Sequence, residues 1–276
     1  MINGRPGSQL YPVDKKRDIR LVVSDLDGTL LDGSGRLPAA NEAAIRRILG
    51  QGVQFVLATG KTRASAEPVI AHLGLRSPGV YFQGHIICDA DGRILRERCM
   101  PREHADAVFD YLRAQGLEAL VYDRSGLWAT AEFPERRLIH EKYGEPLPPI
   151  NPEPSAAPGV NKILVASGGR EAELRRELER RFGARLRILR AVPEFIEVMS
   201  PDVTKGEGVA WLANEMGIDL RHVLAIGDGE NDVEMLQLAG FGVAVANAMP
   251  AAKAAADAIV ASNDDSGVAE ALARYV

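Results

Sequence analysis

The sequence predicts an α/β protein, a doubly wound parallel sheet interrupted by an α+β insert. Three observations carry that expectation. Short continuous apolar runs such as Leu21-Val22-Val23 alternate with helix-length segments at both ends of the chain, as expected of parallel strands covered on both faces. Between those ends the strand candidates are shorter, more alternating and joined by hairpin turns, which suits an antiparallel sheet. At 276 residues the chain is long enough for one or two cores.

Residues 1–18 are polar, with Pro6, Gly7 and Lys15-Lys16-Arg17, and lack the apolar segment of a secretory leader. They read as a flexible tail. The first strand follows and ends in Asp25-Leu26-Asp27-Gly28. Ligands of open α/β sheets bind beyond the carboxyl ends of the strands, which is where Asp25 and Asp27 fall. Two carboxylates so close repel unless a cation neutralises them, and Gly28 allows a sharp turn. Ala39–Gly50 reads as a helix with Ile45, Ile48 and Leu49 on its apolar face. Val53–Ala58 is a second apolar strand, ending in Thr59-Gly60-Lys61. A helix from Arg63 to about His72 and a short strand Val80-Tyr81-Phe82 complete a βαβαβ pattern.

From Gln83 the pattern changes. Ile86–Asp89, Arg93–Arg98, Glu118–Tyr122, Leu127–Ala131, Asn161–Ala166, Arg185–Leu189 and Phe195–Met199 read as strands of an inserted antiparallel sheet. Helices are expected at Arg102–Gln115, Glu135–Tyr143 and Glu171–Phe182, the last laced with alternating Glu and Arg. Six prolines between Pro146 and Pro158 exclude regular helix there. The parallel pattern returns with a helix Lys205–Met216 and a strand His222–Ile226 that ends in Gly227-Asp228-Gly229-Glu230-Asn231-Asp232. A helix Val233–Ala239, strands at Phe241–Ala246 and Ala258–Val260 and a closing helix ending at Tyr275 follow. The expected division is a tail 1–18, a core of 19–83 and 200–276, and an inserted cap of 84–199.

Composition narrows the function classes. A net charge of −5 with scattered Lys and Arg gives no reason to expect nucleic acid. No apolar run reaches membrane-spanning length. Cys88 and Cys99 flank a hairpin turn at Asp91-Gly92 whose simplest register sets Cys88 opposite Leu95. They therefore read as free thiols, which suits a cytoplasmic setting. The five histidines show no ligand-like spacing, so zinc is not expected. Trp128 and Trp211 read as core residues.

Three strands thus end in polar sets: Asp25/Asp27, Thr59/Lys61 and Asp228/Asp232. If they are neighbours, the sets share one sheet edge. Such a set suits phosphoryl transfer, which needs charge stabilisation around three oxygens. Mg²⁺ commonly takes one or two carboxylates plus substrate oxygens and water. Taken singly, each residue also fits a plain role. Thr59 can satisfy backbone groups, Lys205 can be a surface lysine, and Asp228 or Asp232 can cap a helix.

Asp25-Leu26-Asp27-Gly28-Thr29-Leu30-Leu31, Thr59-Gly60, Thr204-Lys205-Gly206 and Gly227-Asp228-Gly229-Glu230-Asn231-Asp232 resemble, in order, the four motifs of the haloacid dehalogenase-like superfamily. The large insert between the second and third motifs is similar to the cap of its Cof-type phosphatases. The resemblance implies a Rossmann-like core and a Mg²⁺-dependent phosphatase acting on a small phosphorylated metabolite. It implies that Asp25 attacks phosphorus and that Asp27 protonates the leaving oxygen and then activates water. Thr59 would hold a phosphoryl oxygen, and Lys205 would neutralise the nucleophile. Mg²⁺ would sit on Asp25, the Asp27 carbonyl and Asp228. Asp232 would hold metal-bound water or Lys205, while Gly60, Asn231 and Asn247 would support the phosphate site.

Lys61 stands where the family more often has Arg, and Gln83-Gly84-His85 where Asn-Gly-Ala is usual. A plant and cyanobacterial branch looks similar at both places. Lys162, Glu194 and Glu197 are polar residues in or beside apolar strands of the cap, and are candidates to face the substrate. The competing readings are a phosphomutase or phosphotransferase on the same fold, and a non-catalytic metabolite-binding protein.

Overall fold

The fold is described from a computed structural model, over residues 16–151 and 159–276. In chain order it opens with β1 (Leu21–Ser24), α1 (Ala39–Gly50), β2 (Gln54–Leu57), α2 (Arg63–Leu73), β3 (Gly79–Tyr81), β4 (Ile86–Cys88) and β5 (Ile94–Glu97). The middle holds α3 (Arg102–Gln115), β6 (Ala119–Asp123), β7 (Gly126–Ala129), α4 (Pro134–Glu141), β8 (Lys162–Ala166), α5 (Glu171–Phe182), β9 (Arg187–Val192) and β10 (Phe195–Met199). The chain closes with α6 (Lys205–Glu215), β11 (Val223–Gly227), α7 (Val233–Leu238), β12 (Phe241–Val245), α8 (Pro250–Ala255), β13 (Ala258–Val260) and α9 (Gly267–Tyr275).

The first sheet has the order β13-β12-β11-β1-β2 and is parallel throughout. The β1, β11 and β12 strands are buried along their whole length, so nearly every position is apolar and the runs are continuous. Helices flank the sheet, α1 packing on α9 and α6 on α7. β1 lies between β11 and β2, with Ser24 level with Ile226 on one side and Leu57 on the other. The three polar sets therefore leave the sheet side by side at one edge.

The second sheet, β7-β6-β8-β10-β9, is antiparallel. Its strands alternate between two environments, as a period of two requires. Ala119, Val121, Ile163, Val165, Ile196 and Val198 pack with α3 and α5 residues such as Phe109 and Leu178. Leu120, Tyr122, Leu164 and Phe195 turn the other way and join the core of the parallel sheet. Lys162 and Glu197 share that inward face by parity.

Two details differ from the sequence expectation. The sequence pattern places Val80–Phe82 with the parallel strands and Ile86–Asp89 and Arg93–Arg98 in the inserted sheet; instead β3, β4 and β5 form a separate three-stranded antiparallel sheet. A bridge between Ala58 and Val80 links that sheet to the end of β2. The cause is the tight reversal at 82–84, where Phe82, Gln83 and Gly84 all have positive φ (53°, 61° and 100°), returning the chain beside β3. A Cβ on Gly84 would meet the Thr204 carbonyl oxygen at 2.2 Å, so the outgoing and returning connections touch where only glycine fits. A bulge between Ile87 and Cys88 sets Cys88 opposite Ile94 rather than Leu95; both thiols are free.

The expected tail lies mostly outside the described residues, but its end is tied down. Arg17 N–H donates to the Tyr275 carbonyl, and its guanidinium lies 3.8 Å from the centre of the Phe241 ring. The expected proline loop falls partly outside the described residues at 152–158. Among the described residues no helix is long and apolar enough to cross a membrane.

Candidate active site

The site is built on three strand ends and one helix start. After β1, Asp25 stays extended and the chain turns through Gly28 at φ +72°. A Cβ on Gly28 would stand 2.6 Å from Asp228 Oδ2, so glycine serves both the turn and the approach of the carboxylate. Thr29 Oγ1 donates to Asp228 Oδ1 at 2.6 Å. Asn247 does not line the cleft; it braces this turn, its Nδ2 donating to the Gly28 carbonyl at 2.8 Å.

Lys205 opens α6, behind a Thr204 cap that accepts the Glu207 N–H. Its Nζ lies 2.7 Å from both Asp25 Oδ1 and Asp232 Oδ1, with no side-chain surface exposed. A lysine in a first helical turn opposes the helix dipole, and the two carboxylates supply the reason for it. Burial works against the Lys205 charge, but Asp232 and Asp25 outweigh it and its pKa rises. Burial raises the Asp25 pKa well above the usual carboxylate range; Asp232 adds to this and Lys205 opposes it. Asp228 is pushed up to about 6 by burial and by Asp232, against the hydrogen bond from Thr29.

Carboxylate oxygens of Asp25, Asp228 and Asp232 lie within 4.8 Å of one another. Three carboxylates against the one ammonium of Lys205 leave a charge that a divalent cation balances. The roles within the trio differ. Asp232 has both oxygens engaged: Oδ1 by Lys205, and Oδ2 by the Asp228 and Gly229 N–H groups at 2.9 Å each. It positions the 228–229 loop and the lysine. Asp25 and Asp228 are the members left to ligate a metal, so the residues present fit Mg²⁺.

Beyond β2, Thr59 is buried and its Oγ1 accepts the Lys61 N–H at 3.1 Å. The Lys61 ammonium meets Asp27 Oδ1 at 2.8 Å. Asn231 Nδ2 donates to Gln83 Oε1 at 2.9 Å, and Gln83 Nε2 donates to Glu197 Oε2 at 3.2 Å. The Gly60 carbonyl accepts from Lys162 Nζ at 3.0 Å. These residues enclose a cleft of about 210 Å³ between the two sheets, with Asp25, Asp27, Thr59 and Asp228 on its floor.

A sequence profile of the haloacid dehalogenase-like hydrolases matches residues 22–272. The chain belongs to that family. A Bacillus subtilis relative named 5-amino-6-(5-phospho-D-ribitylamino)uracil phosphatase YcsE is 29% identical, over 94% of this chain and 96% of the relative. An Arabidopsis thaliana protein named chloroplastic endoribonuclease YBEY is 30% identical over 98% of this chain, which spans only 48% of its length. A HAD/COF-like hydrolase from Plasmodium vivax superposes with a TM-score of 0.86 at 25% identity, covering 93% of this chain and 95% of that one. The family assignment, with relatives named as phosphatases along nearly their whole length, makes the chain a phosphoric monoester hydrolase of Cof type.

On this haloacid dehalogenase-like framework, two of the three cap candidates line the cleft and one does not. Lys162 and Glu197 face it. Glu194 sits in the β9–β10 turn and does not itself line the cleft; its carboxylate takes the Lys142 ammonium at 2.8 Å and, at 2.6 Å, the hydroxyl of Tyr143, which does line it. Sequence reading gave no role to Glu145, whose buried carboxylate accepts the Thr62 N–H and hydroxyl at 3.0 and 2.7 Å and also binds Ser65. A carboxylate at the start of α2 is favourably placed against the helix dipole. A lone Glu beside a proline loop carries no local signal of that contact. Thr29 had a signal, a hydroxyl inside the first motif, but no assigned role.

Proposed function

We propose that the chain is a Mg²⁺-dependent phosphomonoesterase that forms an aspartyl-phosphate on Asp25 and acts on a small phosphorylated metabolite. The observation that carries this reading is the convergence of Asp25, Lys205 and Asp228 at one sheet edge. Lys205 holds one Asp25 oxygen, leaving the other to attack phosphorus. As the Asp25 O–P bond forms, the bond to the leaving oxygen breaks and Asp27 gives that oxygen a proton. Water then attacks phosphorus, Asp27 takes its proton, and phosphate leaves Asp25. The Thr59 Oγ1 accepts from a backbone N–H, so its own O–H is free to donate to a phosphoryl oxygen. Asp25 and Asp228 would hold Mg²⁺ together with the Asp27 carbonyl. When bound, the ion supplies positive charge to the transferring phosphoryl oxygens.

The reading is supported by relatives whose names describe phosphatases of small phosphorylated compounds, including HMP-PP phosphatase and phosphoglycolate phosphatase. The test is release of phosphate from a generic aryl phosphate. Asp25→Asn should abolish it with the fold intact by circular dichroism, and a chelator should abolish it until Mg²⁺ is restored. Turnover that survives either treatment removes that group from the mechanism.

A further inference from the structure

We propose that the ion pair Lys162–Glu197 selects phosphate esters whose leaving group is an uncharged or amino-bearing alcohol, and rejects those whose leaving group carries a second anion. The proposal rests on the phosphatase reading above. Lys162 Nζ lies 2.7 Å from Glu197 Oε1, and the two side chains are only 2% and 3% exposed. Both line the roof of the cleft that has Asp25 on its floor. Their other contacts fix them there. Lys162 Nζ also donates to the Gly60 carbonyl and lies 4.3 Å from the centre of the Tyr122 ring. The second Glu197 oxygen accepts from Gln83.

The charges around the cleft decide what fits beneath that roof. Among the described residues, both lysines that line the cleft, and Lys205 beneath Asp25, already have their anions. Lys205 has Asp25 and Asp232, Lys61 has Asp27, and Lys162 has Glu197. Glu145 adds a carboxylate to the lining, held by the hydroxyls and N–H at the start of α2 rather than by a cation. A carboxylate or second phosphate on the leaving group would therefore meet Glu197 and Glu145 with no unpaired cation to receive it. Drawing Lys162 toward such a group would strip a buried Glu197 of its partner, which is unfavourable. A hydroxyl or ammonium can donate to the lone pairs those carboxylates still have. Its carbon skeleton would lie along Ile139, Leu164 and Met249, the apolar part of the lining.

The experiment uses the full chain with Mg²⁺ and two matched pairs of esters, sorbitol phosphate against phosphogluconate and glycerol phosphate against phosphoglycerate. Members of each pair differ by a hydroxymethyl group or a carboxylate. The wild type should favour the neutral member of both pairs in kcat/KM by about tenfold or more, a difference of about 1.4 kcal/mol. Glu197→Gln unmasks the Lys162 charge and should move the ratio toward the anionic esters by about tenfold. Lys162→Gln leaves Glu197 unneutralised and should move it the other way. A role in folding alone would lower all substrates together and leave the ratio unchanged. The proposal is overturned if the wild type favours the anionic members, or if neither variant moves the ratio. Should one variant fail to fold, the wild-type ratio and the other variant still decide. An aryl phosphate run alongside separates the two readings. Its turnover without selectivity overturns only the proposal, whereas no turnover of any ester overturns the phosphatase reading and the proposal with it.

Discussion

Replacing His85 by leucine should remove a large part of the protein's sensitivity to acid. His85 is completely buried, its Nδ1 lies 2.6 Å from the Phe82 carbonyl, and its Nε2 has no partner among the described residues. The ring is therefore neutral, with the proton on Nδ1. Burial pushes its pKa down from 6.5 to about 3, with Lys162 and Arg98 adding to the effect and the Phe82 carbonyl opposing it. The folded value lies below the unfolded one, so the sign follows directly. Above pH 6.5 neither state binds the proton and there is no cost. Below it the unfolded chain binds a proton that the folded chain refuses, and stability falls until pH approaches the folded value. Each pH unit in that window costs about 1.4 kcal/mol, so roughly 2–3 kcal/mol disappears between pH 6.5 and 4.5. Leucine is close in volume and carries no titrating group, and it also removes an unpaired buried acceptor. The assay is urea unfolding of both proteins at several pH values, with proton uptake on unfolding measured near pH 5. The wild type should take up about one proton more than the variant. Stability curves that run parallel, with equal uptake, would refute the assignment of a buried neutral histidine.

Two further outcomes test the floor of the cleft. Lys205→Met leaves Asp25 and Asp232 buried without their ammonium. It should destabilise the protein by about 3–5 kcal/mol, read from urea midpoints, and an unchanged midpoint would show that the pair contributes nothing to the fold. Thr29→Val removes the 2.6 Å hydrogen bond that orients Asp228, and should weaken Mg²⁺ by about 10–100-fold. A Mg²⁺ titration of phosphate release measures this, and a superimposable curve would show that Thr29 does not orient the carboxylate.

The parts of this fold that the sequence discloses are those in which one segment carries the whole signal. A strand buried on both faces is apolar throughout, and its end is marked by the residues that stop being apolar, so β1, β2 and β11 and the polar sets at their ends are visible without coordinates. Their adjacency is not visible in any one of them; it follows from the order β11-β1-β2. The errors fall where short elements have a choice of partner. β4 and β5 are compatible with either antiparallel sheet, and the backbone reversal at 82–84 decides between them. Glu194 fails for a related reason. It stands just before β10, where alternation gives no direction, and its turn carries it to Lys142 and Tyr143.

The roof of the cleft shows why specificity is harder to read than chemistry. Tyr122, Lys162 and Met199 lie abreast across β6, β8 and β10, and Glu197 is level with Leu164. Lys162 and Glu197 are therefore diagonal neighbours on one face, close enough for a long lysine to reach the carboxylate. A shift of one residue in the β8–β10 register would send one of the two toward the helix layer and break the pair. Alternation in each strand restricts the side chain to one of two faces, but the choice between them belongs to the pairing. The floor tolerates no such ambiguity, because a parallel strand delivers its last residue to the same edge whatever its neighbours do. The same fold thus writes its catalytic groups into single strand ends and its substrate-facing groups into the register between strands.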